Sequence, residues 1–155
     1  MKIGAAQIRE ARGQDFIQAA HLISDAHRAA GTLDEHYEPW AVEGRLSDLR
    51  IAKGILLVAD IEGGIVACGG IVPASFARHT WTLCLGATRP DLQGHGLGHQ
   101  LVTRRLDIAA REGAGIVLVS SVNPARWARY GFKQQFVNPV TGAHLMALRF
   151  DNGRH

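Results

Sequence analysis

The chain has no unbroken apolar run of the ~18 to 20 residues that a membrane span needs. Met1-Lys2-Ile3-Gly4 is not followed by the apolar stretch of a signal peptide. A soluble, cytoplasmic protein that does not enter a membrane is therefore expected. Cysteine is scarce: the 155 residues hold only Cys68 and Cys84, both inside apolar runs, with no C-x-x-C spacing and no histidine cluster beside them. They read as reduced core residues, although sequence alone leaves open a disulfide between neighbouring strands. Low-complexity tracts, Pro/Ser-rich linkers and internal repeats are also missing. One domain over residues 1–155 is expected, long enough to bury a core without staples.

Negative charge is short in the back of the chain. Residues 1–62 carry 7 Lys/Arg against 10 Asp/Glu, a balance of −3, whereas residues 63–155 carry 10 against 4, a balance of +6. Such a split suits a cationic acceptor on one side and a polyphosphate ligand on the other, or it is scattered surface charge. Apart from Arg104-Arg105 the positive residues stand singly and do not alternate with aromatics, so no nucleic-acid partner is expected.

What is present is a series of short elements. Residues 6–10 read as a strand and residues 15–30 as a helix, with Phe16, Ala20, Ile23 and His27 at helical spacing. Residues 31–53 read as a polar, aromatic loop followed by one or two short helices. Strand-like runs at 55–59 and 65–72 flank Glu62-Gly63-Gly64, a hairpin turn, and a third strand at 81–88 extends the meander. Beyond it come a helix at 96–112, a strand at 116–120, a short helix from Pro124 to about Tyr130, and strands at 133–137 and 145–150. The long helix shows Leu97, Leu101 and Ile108 on one face, widened by Val102 and Ala109, with Gln100, Thr103, Asp107 and Arg111 opposite. An antiparallel meander beside a βαβ unit gives an α+β fold: a mixed sheet of about seven strands with helices on both faces.

Gln93-Gly94-His95-Gly96-Leu97-Gly98 follows the third meander strand and opens the long helix. Its glycines let the backbone bend closely around a ligand, and the free N–H groups and dipole of a helix start favour phosphate oxygens. The spacing is not the G-x-G-x-x-G of a dinucleotide fold, and no Lys-Ser/Thr follows as in a P-loop. A nucleotide-binding domain is the weaker rival.

The run Pro90-Asp91-Leu92-Gln93-Gly94-His95-Gly96-Leu97-Gly98-His99-Gln100-Leu101 resembles the acetyl-CoA signature Q/R-x-x-G-x-G/A of the GNAT acetyltransferases, met by Gln93, Gly96 and Gly98. Downstream, Asn123-Pro124 and Tyr130-Gly131-Phe132 resemble that family's Asn…Gly-Phe segment, in the same order. The resemblance implies acetyl-CoA as co-substrate and an amine of a small molecule or peptide as acceptor, joined by direct attack. It also implies that Gln93, Gly94, His95, Gly96, Leu97, Gly98 and His99 seat the pyrophosphate. Gly86, Ala87 and Thr88 would hydrogen-bond the pantetheine arm like an added strand, the adjacent strands would splay to admit it, and Asn123 would contact it. A homodimer is one expected assembly, because such proteins often pair.

The family often places a tyrosine acid four residues before the glycine of Gly-Phe, and here that residue is Trp127, which has no proton of useful acidity. Tyr130 becomes the candidate acid. The third meander strand holds no carboxylate, so the candidate base moves to the loop Asp34, Glu35, His36 and Glu38, with Glu38 chosen; a water chain is the alternative. His95 and His99 stand four apart without a third ligand or H-E-x-x-H, so no metal is expected. The missing tyrosine and strand carboxylate leave a second reading, an acyl-CoA-binding sensor that does not turn over.

Overall fold

The computed structural model describes residues 5–150, so the reading of Met1-Lys2-Ile3-Gly4 lies outside the described residues. Its order is β1 (Gln7–Glu10), α1 (Asp15–Ala30), a 3-10 turn (Glu35–Tyr37), α2 (Pro39–Ile51), β2 (Ile55–Ile61), β3 (Gly64–Pro73) and β4 (Thr80–Thr88). A second 3-10 turn (Pro90–Leu92) leads to α3 (Leu97–Arg111), β5 (Ile116–Ser121), α4 (Pro124–Ala128), β6 (Lys133–Val137) and β7 (His144–Arg149). The expected elements are all present, with ends shifted by a residue or two. Within the stretch read as a loop and short helices, α2 begins at Pro39 because proline is well suited to a first helical position.

The seven strands form one sheet in the order β1-β2-β3-β4-β5-β7-β6. Pairing is antiparallel except between β4 and β5, which are parallel and joined by α3. Alternation along β2 shows helices on both faces: Leu56 and Val58 pack with α1 and α2, while Leu57 and Ala59 pack with Leu92, Leu97 and Leu101 at α3. A third cluster joins Ile71, Leu83, Ala109, Val117, Phe132 and Met146, closing the core under β5 and β7.

The front edge is fixed by charge. Arg9 on β1 donates to Asp15 in the first turn of α1 at 2.6 Å and to Asp60 on β2 at 3.0 Å. This hydrogen bond from Arg9 is the main reason the Asp15 carboxyl sits below the usual carboxylate range. One side chain thus ties three elements together.

Candidate active site

The parallel pair β4–β5 is short. Thr80, Trp81 and Thr82 face Ile116, Val117 and Leu118, and there the pairing stops. β4 continues along β3 to Thr88 and β5 continues along β7 to Ser121. Residues 83–88 and 119–121 therefore flank a split in the sheet, with strand polar groups left free for a third partner. On its other edge, against β3, the same stretch of β4 carries a bulge: Cys68 pairs with Ala87 and Gly70 with Cys84, so Leu85 and Gly86 oppose the single Gly69. Leu85 adopts φ +53°, a left-handed conformation that is rare and strained for leucine. A bulge bends and twists the strand carrying it, consistent with β4 leaving β5 there. Gly86, Ala87 and Thr88, the residues expected to hold an extended arm, all lie along this opened stretch.

The glycine turn stands at the open end of the split. Leu92, 2% exposed, anchors it in the core, and the Gln93 amide donates to the Thr88 carbonyl. Gly94 and Gly96 have φ +84° and +87°, values that L side chains rarely adopt, which explains glycine at both positions. Gly96 is the N-cap of α3 and offers no side chain to the helix-start N–H groups. Those donors are left for a ligand, and an anion is what the helix dipole favours. Gly98 lies close to β4, its added Cβ standing 3.9 Å from the Thr88 hydroxyl.

Across from the turn, α4 ends at Ala128, so Tyr130 lies just past the helix rather than closing it. The Tyr130 hydroxyl is 3.1 Å from His99 Nδ1 and accepts from Arg129 at 3.2 Å. The candidate acid and the α3 histidine are thereby brought together. Asn123 caps α4, its side-chain oxygen accepting from the Arg126 N–H. Trp127 packs edge-on against Phe132 at 5.5 Å between ring centres, a core role rather than a proton-transfer one.

The polar loop lies over the α1/α2 face of the same strand, because Tyr37 packs into the cluster that also takes Leu85 and Ala87. His27 stacks on Tyr37 at 3.5 Å and Arg45 sits over the same Tyr37 ring at 5.2 Å from its centre. Asp34 is occupied, accepting the His36 N–H. Glu38 is half-buried at the start of α2 and makes no capping hydrogen bond. Trp40 is 69% exposed, so it is available to a ligand rather than packed in the core. Separately, a cleft of about 190 Å³ between α1 and α2, lined by Phe16, Ile17, Glu43, Leu46, Ser47 and Arg50, shares no residue with the split or the turn.

Two buried features have more to say than the sequence suggested. Cys68 and Cys84 are free thiols, and burial pushes Cys68 up to about 12 and Cys84 upward, so neither supplies thiolate near neutral pH. Arg105, the second of the adjacent Arg104-Arg105 pair, is 4% exposed beneath β3 and β4. The one advance sign was the Gly69-Gly70 pair in an otherwise apolar strand. Among the described residues no group of three or more His, Cys, Asp and Glu gathers, and no helix is long and apolar enough to cross a membrane.

Comparison with known proteins follows the same lines. The family model described as "Acetyltransferase (GNAT) family" matches residues 17–132. No curated protein matches the chain. Among solved structures, a GNAT family acetyltransferase from Brucella melitensis in complex with acetyl-CoA superposes with TM-score 0.76 at 22% identity, covering 94% of this chain and 88% of that one. The PaiA N-acetyltransferase of Thermoplasma acidophilum in complex with coenzyme A gives 0.77 at 13% identity, covering 95% and 100%. A GNAT family acetyltransferase from Staphylococcus aureus gives 0.78 at 11%, covering 94% and 99%. At these identities the likeness is one of fold.

Proposed function

The chain belongs to the GNAT acetyltransferase family, and from that premise we propose that it carries an acetyl group from acetyl-CoA to an amine of a small molecule or peptide by direct attack. The observation that carries the reading is the alignment of two features: the side-chain-free N-cap at Gly96 and the split between β4 and β5 whose open end lies beside it. Gln93 to His99 seat the pyrophosphate on helix-start N–H groups. The arm then adds to residues 86–88 as an extra strand, with Asn123 on its far side, and a β4 N–H near the bulge donates to the carbonyl oxygen as it becomes an oxyanion.

The neutral amine attacks the thioester carbon, a C–N bond forms, and the C–S bond breaks with its electron pair leaving on sulfur. The amine's surplus proton passes to Glu38 or through water. Tyr130, held by His99, is the candidate acid for the thiolate. Direct attack is supported by the buried, protonated thiols: neither Cys68 nor Cys84 is suited to form an acyl-enzyme. Trp40 and the Glu38 carboxylate beside it suit a cationic or aromatic amine. A single domain over residues 1–155, a cytoplasmic setting and a homodimer accompany this reading, the last checked by light scattering.

Trp127 in the usual acid position favours the sensor as second reading. Thiol release from acetyl-CoA against polyamines, aminoglycosides, amino acids and peptides separates the two. Release with one acceptor class supports transfer; tight binding with no release across the panel supports the sensor.

A further inference from the structure

Arg105 is a cation that the fold does not need. Its Nε donates to the Leu101 carbonyl of its own helix at 3.1 Å and its Nη1 to the Gly70 carbonyl at 3.1 Å. No carboxylate pairs with it among the described residues. Burying a cation without an ion pair costs several kcal/mol, and methionine or leucine would fill a helix–sheet contact at lower cost. The site is nevertheless shaped for it: a Cβ on Gly69 would stand 2.6 Å from the guanidinium carbon. The remaining Nη2 points toward β4, 3.9 Å from where a Cβ on Gly86 would be. Gly86 belongs to the bulge in the β3–β4 pairing, within the stretch of β4 that has parted from β5.

The position along α3 selects among possible anions. Arg105 is eight residues beyond Leu97, the first residue of the helix, which at ~1.5 Å per residue puts it about 12 Å below the pyrophosphate seat. That is too far to serve the pyrophosphate, whereas the acyl-CoA reading puts the thioester carbonyl at the β4 bulge, toward which Nη2 turns at Gly86, so the charge that arises near it is the one born in the reaction. We propose that Arg105 stabilises the departing thiolate of coenzyme A from beneath the β4 bulge. The inference rests on the acyl-CoA reading above. It supplies electrostatically what Trp127 cannot supply as an acid: when the C–S bond breaks, its electron pair stays on sulfur opposite a fixed positive charge, and no proton is needed in that step. Burial lowers the guanidinium to about 10, so it remains charged at neutral pH.

The test is titration of the thiol of enzyme-bound coenzyme A by its ultraviolet thiolate absorbance, with the desulfo-coenzyme A complex as blank to cancel Cys68 and Cys84. Free thiols titrate near ~8.5. The wild-type complex should titrate at least about one unit lower, a tenfold gain in thiolate fraction. Arg105→Met should bring it back to the free value or above, and Arg105→Lys should keep most of the shift. A bound thiol that titrates at or above the free value in the wild type overturns the proposal, even where Arg105→Met does not fold. Equal values in wild type and a folded Arg105→Met also overturn it. Coenzyme A binding with an unshifted thiol sinks this inference alone, whereas no binding at all sinks the acyl-CoA reading beneath it.

Discussion

Single residues carry the most direct tests of the packing. A Cβ at Gly69 would overlap the Arg105 guanidinium, which is wedged between α3 and β3. Gly69→Ala should therefore cost about 2 kcal/mol or more, since either the strand shifts or a buried cation loses its seat. Urea denaturation measures it, and a loss within ±0.5 kcal/mol would mean that the guanidinium moves freely. Asp15→Asn tests the Arg9 tie. Its folded carboxyl lies below the unfolded value, so its stabilisation is present above about pH 4 and fades as pH falls through the folded value. The variant should be about 1 kcal/mol less stable at pH 7, and the gap should close as pH falls through the folded value. At this scale the sequence showed the turn glycines well, because positive φ and glycine go together. It hid Arg105, because a charged side chain on a helix is assigned to solvent unless its partner strand is known. Gly69 gave the room, but nothing local said what filled it.

Elements were legible where periodicity is local. The spacing in α1 and α3 and the alternation in β2 gave their existence and faces directly, and Asn123-Pro124 gave the start of α4. The split was implied by the resemblance to the GNAT family but not legible from periodicity, since it depends on where two strands 30 or more residues apart stop pairing. The bulge was equally hidden: Leu85 carries no glycine-like signal for its positive φ. The loop between α1 and α2 has a pH dependence of its own. His27 stacks on Tyr37, bonds Thr32 and faces Arg45 and Asp34; burial first, then the Arg45 charge, lowers its affinity for a proton, against a smaller opposing effect of Asp34. With the folded value below the unfolded one, this contribution is present above about pH 6.5 and is lost as pH falls through the folded value. Histidine NMR titration should show His27 below the free imidazole value, and loop amide exchange should rise as His27 protonates. A His27 titrating at or above the free value would contradict it.

At the scale of the molecule, the acidic front half and basic back half meet across the split strand. Residues 1–62 supply α1, α2 and the loop over one face, and residues 63–155 supply the glycine turn and α3 on the other. This is the arrangement expected of a cationic acceptor entering opposite a polyphosphate donor. Raising salt should weaken acetyl-CoA binding, and a salt-independent affinity would count against the helix-start seat. The fold was readable from the order of elements and the turn; the acceptor was not, because the irregular loop proposed to border it makes contacts that are long-range.

The central claim is that the turn before α3 holds acetyl-CoA, and calorimetric binding to wild type and Gly96→Glu tests it most directly. Gly96 sits at φ +87° with its N–H neighbours free, so glutamate there adds strain and a negative charge where phosphate should lie. The account predicts micromolar binding to wild type and a loss of about a hundredfold, near 2.7 kcal/mol, in a variant whose circular dichroism is unchanged. Equal affinity in the two proteins would contradict it.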